Sequence, residues 1–514
     1  GQATWESSLV PSAWHGVTTA VMGNCGVGFA PARPEDHDRL IWLMEGVEEL
    51  PLETLHAGLD WSWRTFPEFL DALERRPHDV NIATQVPHAA LRVYAMGERA
   101  INRELPTSDD LAMMTDLVEE AVRAGALGFS TSRTVNHRSA TGEATPSLGA
   151  PREELVAIAA GLGRAGAGVM QVISDFDDLD EEFSIFRDMV RTAGRPLSLS
   201  VLAKRSRPQQ WRQILDEISR ANRDGLPMLG QVSVRAIGVL LGLELSLHPL
   251  QINPVFAEIE HLPLAQRAAA MRDPAFRERL VAAAVQQRGH KVLDNRAECD
   301  LAEVYELGEP PNYEPDPSDS ILARAQRQGR LPEDLLVERM TENGGRAILY
   351  MPGLNYVSGN LDDVREMLTH PHTVPGLSDG GAHVGHICDA SFPTSLLTYW
   401  CRDRERDRLD LPFIVQAQAA RTAAAVGLHD RGVLAPGYRA DLNIVDLDAM
   451  VLHHPEVHYD LPAGARRILQ RAEGYQHTIV NGEETFRGGE PTGAYPGEMI
   501  RGARPAPAGG GDGK

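Results

Sequence analysis

Leu377-Ser378-Asp379-Gly380-Gly381-Ala382-His383 closes an extended run at 373–377 and opens into a loop carrying His386, Cys388 and Asp389. An acid at the carboxyl end of a buried strand, followed by glycines, is how a barrel of parallel strands presents a proton donor or acceptor to its pocket. Asp before Gly also serves as a turn or helix cap. The strand in front of it favours the chemical role, and Asp379 is the candidate catalytic residue.

Working outward, the chain alternates extended runs with helical ones. The runs at 17–22, 80–86, 126–131, 169–174, 197–202, 228–234 and 373–377 are largely apolar or β-branched, and all but the last have Gly or Pro on at least one side. Near-continuous apolar strands belong to a parallel sheet covered on both faces. Between them, Thr107-Ser108-Asp109-Asp110 offers a hydroxyl to cap a helix. Leu111, Met114, Leu117, Val118, Ala121 and Val122 then recur at helical spacing up to Gly125. Seven strands are one short of a (β/α)8 barrel, and the missing one is expected before Gly1. No GxGxxG follows any of these runs, which disfavours a doubly wound nucleotide-binding sheet.

Around 245–330 the alternation breaks into a proline-bearing irregular stretch, expected to be a lid or functional insertion. The predicted organisation is a barrel over 1–428 carrying that insertion, a small β-sandwich part over 429–502 with an Asn481-Gly482 hairpin turn, and a disordered tail over 503–514.

The 514 residues carry 50 basic and 72 acidic side chains, a net charge of −22 that argues against nucleic acid and anionic membrane as partners. No apolar run reaches the roughly 20 residues a membrane helix needs. Cys25, Cys299, Cys388 and Cys401 are scattered, as thiols of a reducing, cytoplasmic compartment are. Arg133, His137 and Arg138, just after the 126–131 run, could hold a substrate carboxylate, Arg doing so through a two-pronged contact. His88 and His383 are further pocket candidates; His15, before its strand, is at the wrong end for chemistry.

The chain resembles the amidohydrolase superfamily, in its N-acyl-D-amino-acid deacylase (D-aminoacylase) branch. The likeness is carried by His15-Gly16-Val17-Thr18-Thr19 running into Gly23-Asn24-Cys25-Gly26, by Gly125-Ala126-Leu127-Gly128-Phe129-Ser130-Thr131, by Ser378-Asp379-Gly380, and by Gly432-Val433-Leu434-Ala435-Pro436-Gly437 with Ala440-Asp441. It implies a metal-bearing barrel that hydrolyses a linear amide of a small-molecule substrate. It also implies Cys25 as a ligand of one or two zinc ions and Asp379 as the acid/base. A His-x-His metal motif is expected upstream of Gly1. The resemblance further implies histidines at the ends of two middle strands, where this chain has Gln171 in 169–174, only serines in 197–202 and Gln231 in 228–234.

Two rivals remain. A cyclic-amide hydrolase would want a strand-end lysine suited to carboxylation, for which Lys204 is the candidate. A non-catalytic barrel would keep the fold and bind a ligand only.

Overall fold

The structure is a computed structural model that describes residues 1–289, 291–293 and 297–508. Seven parallel strands follow in sequence order: β1 (Thr19–Met22), β2 (Asn81–Thr84) resuming after Gln85 as β3 (Val86–Pro87), β4 (Gly128–Arg133), β5 (Val169–Ser174), β6 (Leu197–Val201), β7 (Met228–Val232) and, after a long excursion, the strand Thr373–Pro375. Each pairs with the next in unbroken parallel register, for example Ser130 with Gln171, Gln171 with Ser198 and Ser200 with Gln231. All seven predicted runs are strands. The last ends two residues early, because Gly376 donates its N–H to Val232 O (3.0 Å) and Leu377 turns left-handed at φ 61°. Among the described residues Thr373–Pro375 makes no pairing with Thr19–Met22, so the sheet is open on that side.

The helices between strands form for the reasons their sequences give. In α1 (Ser108–Ala124), Thr107 and Asp110 cap each other: the Thr hydroxyl accepts from the Asp110 N–H (3.3 Å) and the carboxylate accepts from the Thr107 N–H (2.7 Å). Gly125, at φ 122°, ends the helix. In α2 (Gln210–Arg223), Trp211, Ile214, Leu215, Ile218 and Ala221 form the buried stripe. Each of its Ile and Leu side chains contributes about 1.5–3 kcal/mol when fully buried. A Cβ placed on Gly230 of β7 would meet Ile218 at 3.4 Å, so that face of the sheet is the helix-covered one.

The excursion departs from its expected irregularity. Ile237–Leu241, Tyr305–Glu306 and Leu349–Leu354 form a three-stranded antiparallel sheet. Helices Leu264–Arg272, Pro274–Gln286, Ile321–Arg327 and Pro332–Met340 accompany it. Leu241, Phe256, Met271, Leu280, Leu335 and Met351 belong to a hydrophobic cluster separate from the main one. Short Ala-rich helices bury their few large residues against one another rather than along one long stripe, so helical periodicity is weak in sequence. The parts of the excursion at 290 and 294–296 lie outside the described residues.

Toward the C-terminus, Leu442–Val445, Tyr475–Val480, Glu483–Arg487 and Glu490–Pro491 build an antiparallel sheet. Asn481 (φ 54°) and Gly482 (φ 84°) make the hairpin turn, both in the left-handed region that the right-handed strand twist selects. In the tail expected to lack order, Arg504 exchanges backbone hydrogen bonds with Gly427 and His429 (2.9 and 2.8 Å), which holds it to the body. Residues 509–514 of that tail lie outside the described residues. Among the described residues no helix is long and apolar enough to cross a membrane.

Candidate active site

Asp379 sits where the last parallel strand gives way to its loop. Leu377, Asp379 and His383 all have left-handed backbones, φ 61°, 46° and 50°. For residues that carry a Cβ this conformation is sparsely populated, and clusters of it mark places where packing over-determines the chain. The loop is held by the Ala382 N–H on Asp379 O (3.0 Å) and by the buried Gln2 amide, which donates to Gly381 O (3.0 Å). Burial pushes the Asp379 carboxyl up to about 7. The His383 charge opposes this, while Glu48 and Asp389 add to it.

The second side of the site comes from the turn after β1. Gly26 is left-handed (φ 72°), and a Cβ there would lie 2.7 Å from Ser132 N, so only glycine lets this turn close on β4. Cys25, on that turn, donates its thiol to Glu48 Oε1 at 3.0 Å. Burial, followed by the Glu48 charge, holds the thiol well above its usual range, and Asp379 pushes in the same direction. The other oxygen of Glu48 stands 3.9 Å from His383 Nε2. Burial pulls His383 down, but Glu48, Asp379, Glu49 and Asp389 outweigh it and leave the imidazole above its ordinary value. His386 forms an ion pair with Glu49. Cys25, Glu48, Asp379 and His383 therefore form one electrostatic cluster, linked pairwise through Glu48 rather than aimed at a single point, although they come from opposite ends of the parallel array.

Glu48 had no sequence signature; it is one acid in Glu45-Gly46-Val47-Glu48-Glu49. It ends the helix His37–Glu48, which lies so close to the chain at 138–140 that a Cβ on Gly46 would come within 2.1 Å of Ser139 C and 2.3 Å of Ala140 N. Gly46→Ala should push that helix outward and move Glu48 off Cys25 and His383. The expected cost is about 1–3 kcal/mol, read from denaturant unfolding. A melting curve identical to wild type would show that this contact does not set the helix position.

Beside Asp379 lies a cavity of about 20 Å³, lined among others by Val384, Cys388, Asp389, Arg467 and Ile468. That is room for about one water. Asp389 is bonded to the buried Arg235, whose guanidinium donates to Asp389 Oδ1 (3.2 Å), Ser395 Oγ (2.9 Å) and Cys388 O (2.9 Å). Arg235 also stacks 3.5 Å over the Tyr313 ring.

The remaining candidates are placed elsewhere or are already engaged. Arg133 gives both prongs to Glu182 and donates to Ala150 O (2.9 Å), so its fork is not open to a substrate carboxylate. His88 is fully buried with both ring nitrogens bonded, to Thr131 Oγ1 (2.7 Å) and Glu154 Oε1 (2.8 Å). His137 bonds Ser132 Oγ (2.8 Å), and Arg138 donates to Gly142 O (2.9 Å) on its own loop. His15 is buried against Thr394 Oγ1 (2.8 Å), and burial lowers it to about 3. Lys204 pairs with Asp175 (2.9 Å). An ammonium held by a carboxylate is a poor start for a carbamate, which forms from the neutral amine.

The zinc implied by the resemblance needs about four N, S or O donors converging on one point. Among the described residues no three His, Cys, Asp or Glu side chains do so. Cys25 and Glu48 supply a thiol and a carboxylate, but the thiol proton is shared between them. The middle-strand positions carry amides that bond one another: Gln85 Nε2 to Gln171 Oε1 (2.9 Å) and Gln171 Nε2 to Gln231 Oε1 (3.0 Å). As placed, the described residues do not make up a zinc site.

The amidohydrolase family profile matches residues 2–486. The chain belongs to the amidohydrolase family. It is thereby a hydrolase acting on carbon–nitrogen bonds other than peptide bonds. This amidohydrolase is 25% identical over 504 residues to a D-aminoacylase of Alcaligenes xylosoxydans xylosoxydans, a match covering 96% of this chain and 82% of that one. An uncharacterised protein of Mycobacterium tuberculosis is 24% identical over 522 residues, covering 95% and 82%. Among solved structures, an N-acyl-D-glutamate deacylase from Bordetella bronchiseptica, complexed with zinc and a phosphonate mimic of the tetrahedral intermediate, superposes with a TM-score of 0.58 at 20% identity, covering 96% and 84%.

Proposed function

We propose that this amidohydrolase cleaves the linear amide of an N-acyl-D-amino acid, with Asp379 moving the proton. The observation that carries the reading is the position of Asp379: at the carboxyl end of the last parallel strand, beside a water-sized cavity and clustered with His383 and Glu48. The seven parallel strands are then staves of a (β/α)8-type barrel. The free cysteines fit a cytoplasmic enzyme.

The chemistry asks for a group that can both take and give a proton near neutral pH, and a carboxyl raised to about 7 is such a group. Asp379 removes a proton from the attacking water as its oxygen bonds to the acyl carbon. It then returns that proton to the amide nitrogen as the C–N bond breaks, releasing a carboxylic acid and a D-amino acid. His383, whose protonated form the surrounding carboxylates favour against burial, is the group in the cluster that can face the negative charge building on the carbonyl oxygen.

The test is amine release from N-acetyl and N-formyl derivatives of D- and L-amino acids, run beside hydantoins and dihydroorotate. Turnover confined to the D-series supports the reading. Preference for the cyclic amides, or turnover of none, overturns it.

A further inference from the structure

The face of the parallel sheet turned away from the helices carries, among apolar residues such as Val169, Ile173 and Leu229, a row of polar uncharged side chains that forms a floor between the two halves of the site. In register along it stand Ser130, Gln171 and Ser198, with Ser200 and Gln231 one layer on. Gln85, at the break between β2 and β3, reaches Gln171 two strands away, Gln171 reaches Gln231 two strands further, and Gln231 donates to Ser198 Oγ at 3.1 Å. Side chains converge like this only on the concave face of a curved sheet.

This row spans the distance between the two halves of the active site. At one end a Cβ on Gly23 would sit 3.1 Å from the Gln85 carbonyl oxygen, two residues before Cys25. At the other, a Cβ on Gly376 would sit 3.3 Å from Gln231 Oε1, three residues before Asp379.

We infer that this floor takes a neutral hydrogen-bonding group of the ligand, a carboxamide, and takes it in place of a divalent cation. The chain of amides runs one way, each NH2 onto the next acceptor, so the carbonyls of Gln171 and Gln231 are occupied. What is left open is the starting end: Gln85 Oε1 is buried and has no partner within the protein. Ser130 Oγ and Ser200 Oγ, on the same face and 0% and 4% exposed, have none either.

Each buried polar atom left unpaired costs about 1–3 kcal/mol, so Gln85 Oε1 and Ser130 Oγ, on neighbouring strands, call for a ligand group that satisfies both. An acceptor beside a hydroxyl that can donate is the complement of an amide N–H and C=O. Reversing all three amides would exchange the open acceptor for an open donor and leave the count unchanged. A doubly charged ion, by contrast, wants anionic or imidazole donors, which the row lacks. The inference rests on the proposed amide hydrolysis for the ligand's identity, but not for the exclusion of a cation.

The test uses the full chain produced with zinc in the medium and then dialysed. Expected are less than about 0.1 zinc per chain by mass spectrometry and a melting temperature that equimolar zinc does not move. Acetamide, as the minimal probe, should bind saturably by ligand-observed NMR. Its affinity should fall at least about fivefold in Gln85→Leu; should that variant fail to fold, Ser130→Ala carries the same expectation. About one zinc retained per chain, no saturable acetamide binding by wild type, or equal affinity in wild type and variant overturns the inference. A zinc-free chain that binds acetamide but hydrolyses no N-acyl-D-amino acid would instead remove the proposed function and leave this floor standing.

Discussion

Asp379→Asn is expected to lower kcat on an N-acyl-D-amino acid by about 10²- to 10⁴-fold, the usual worth of a positioned acid/base. Asparagine keeps the size of the side chain and removes the proton transfer, so substrate affinity should change little. In the wild type, kcat/KM should rise with pH through about 7 as the carboxyl becomes the base, and the variant's residual rate should lose that limb. Stability should move the other way. The folded carboxyl titrates near 7 against 3.8 for the ordinary group. Between those values the folded chain holds more proton than the unfolded one, so stability falls as pH rises through the window. Asp379→Asn lacks this liability and should melt above wild type at pH 8, with the advantage gone by about pH 4. A variant that is both fully active and no more stable at pH 8 would remove Asp379 from the chemistry.

The largest structural effect is expected from Glu154→Ala. Glu154 is fully buried and its Oε1 accepts from Arg92 Nε at 2.7 Å and from the His88 ring at 2.8 Å. Arg92, 1% exposed, also donates to Pro146 O (2.6 Å) and Glu104 O (2.7 Å), so its guanidinium is locked in place by the loop before α1 and the loop at 146. Burial raises the Glu154 carboxyl, but His88 and Arg92 more than offset it and leave it below the usual range. Alanine would strand a buried guanidinium without its counter-charge, at about 3–5 kcal/mol. Because the folded pKa is depressed, the stabilisation is present above the unfolded carboxyl value and lost as pH falls below it. Denaturant unfolding of Glu154→Ala at pH 7 and pH 4 should show the gap to wild type narrowing in acid. A loss under 1 kcal/mol at pH 7 would show that Arg92 finds another partner. His88, which sequence position made a pocket candidate, belongs to this structural network.

What the sequence determined by itself is the alternation of elements and the place of the acid. Most of the parallel strands are apolar or β-branched runs flanked on one side by Gly or Pro, helix 108–124 has a stripe and a cap, and Asp379 follows the last run; all of these are local patterns with a period of two or about four residues. What only the tertiary structure decided is which polar side chains are spent and which are left over. Arg133 and Glu182 lie 49 residues apart, Cys25 and Glu48 lie 23, and Gln171 and Gln231 lie 60, and no periodicity announces such pairs. A hydrogen bond is satisfied by distance in space, so the same residue type, at an equally suggestive position, becomes a strut in one place and an open donor or acceptor in another.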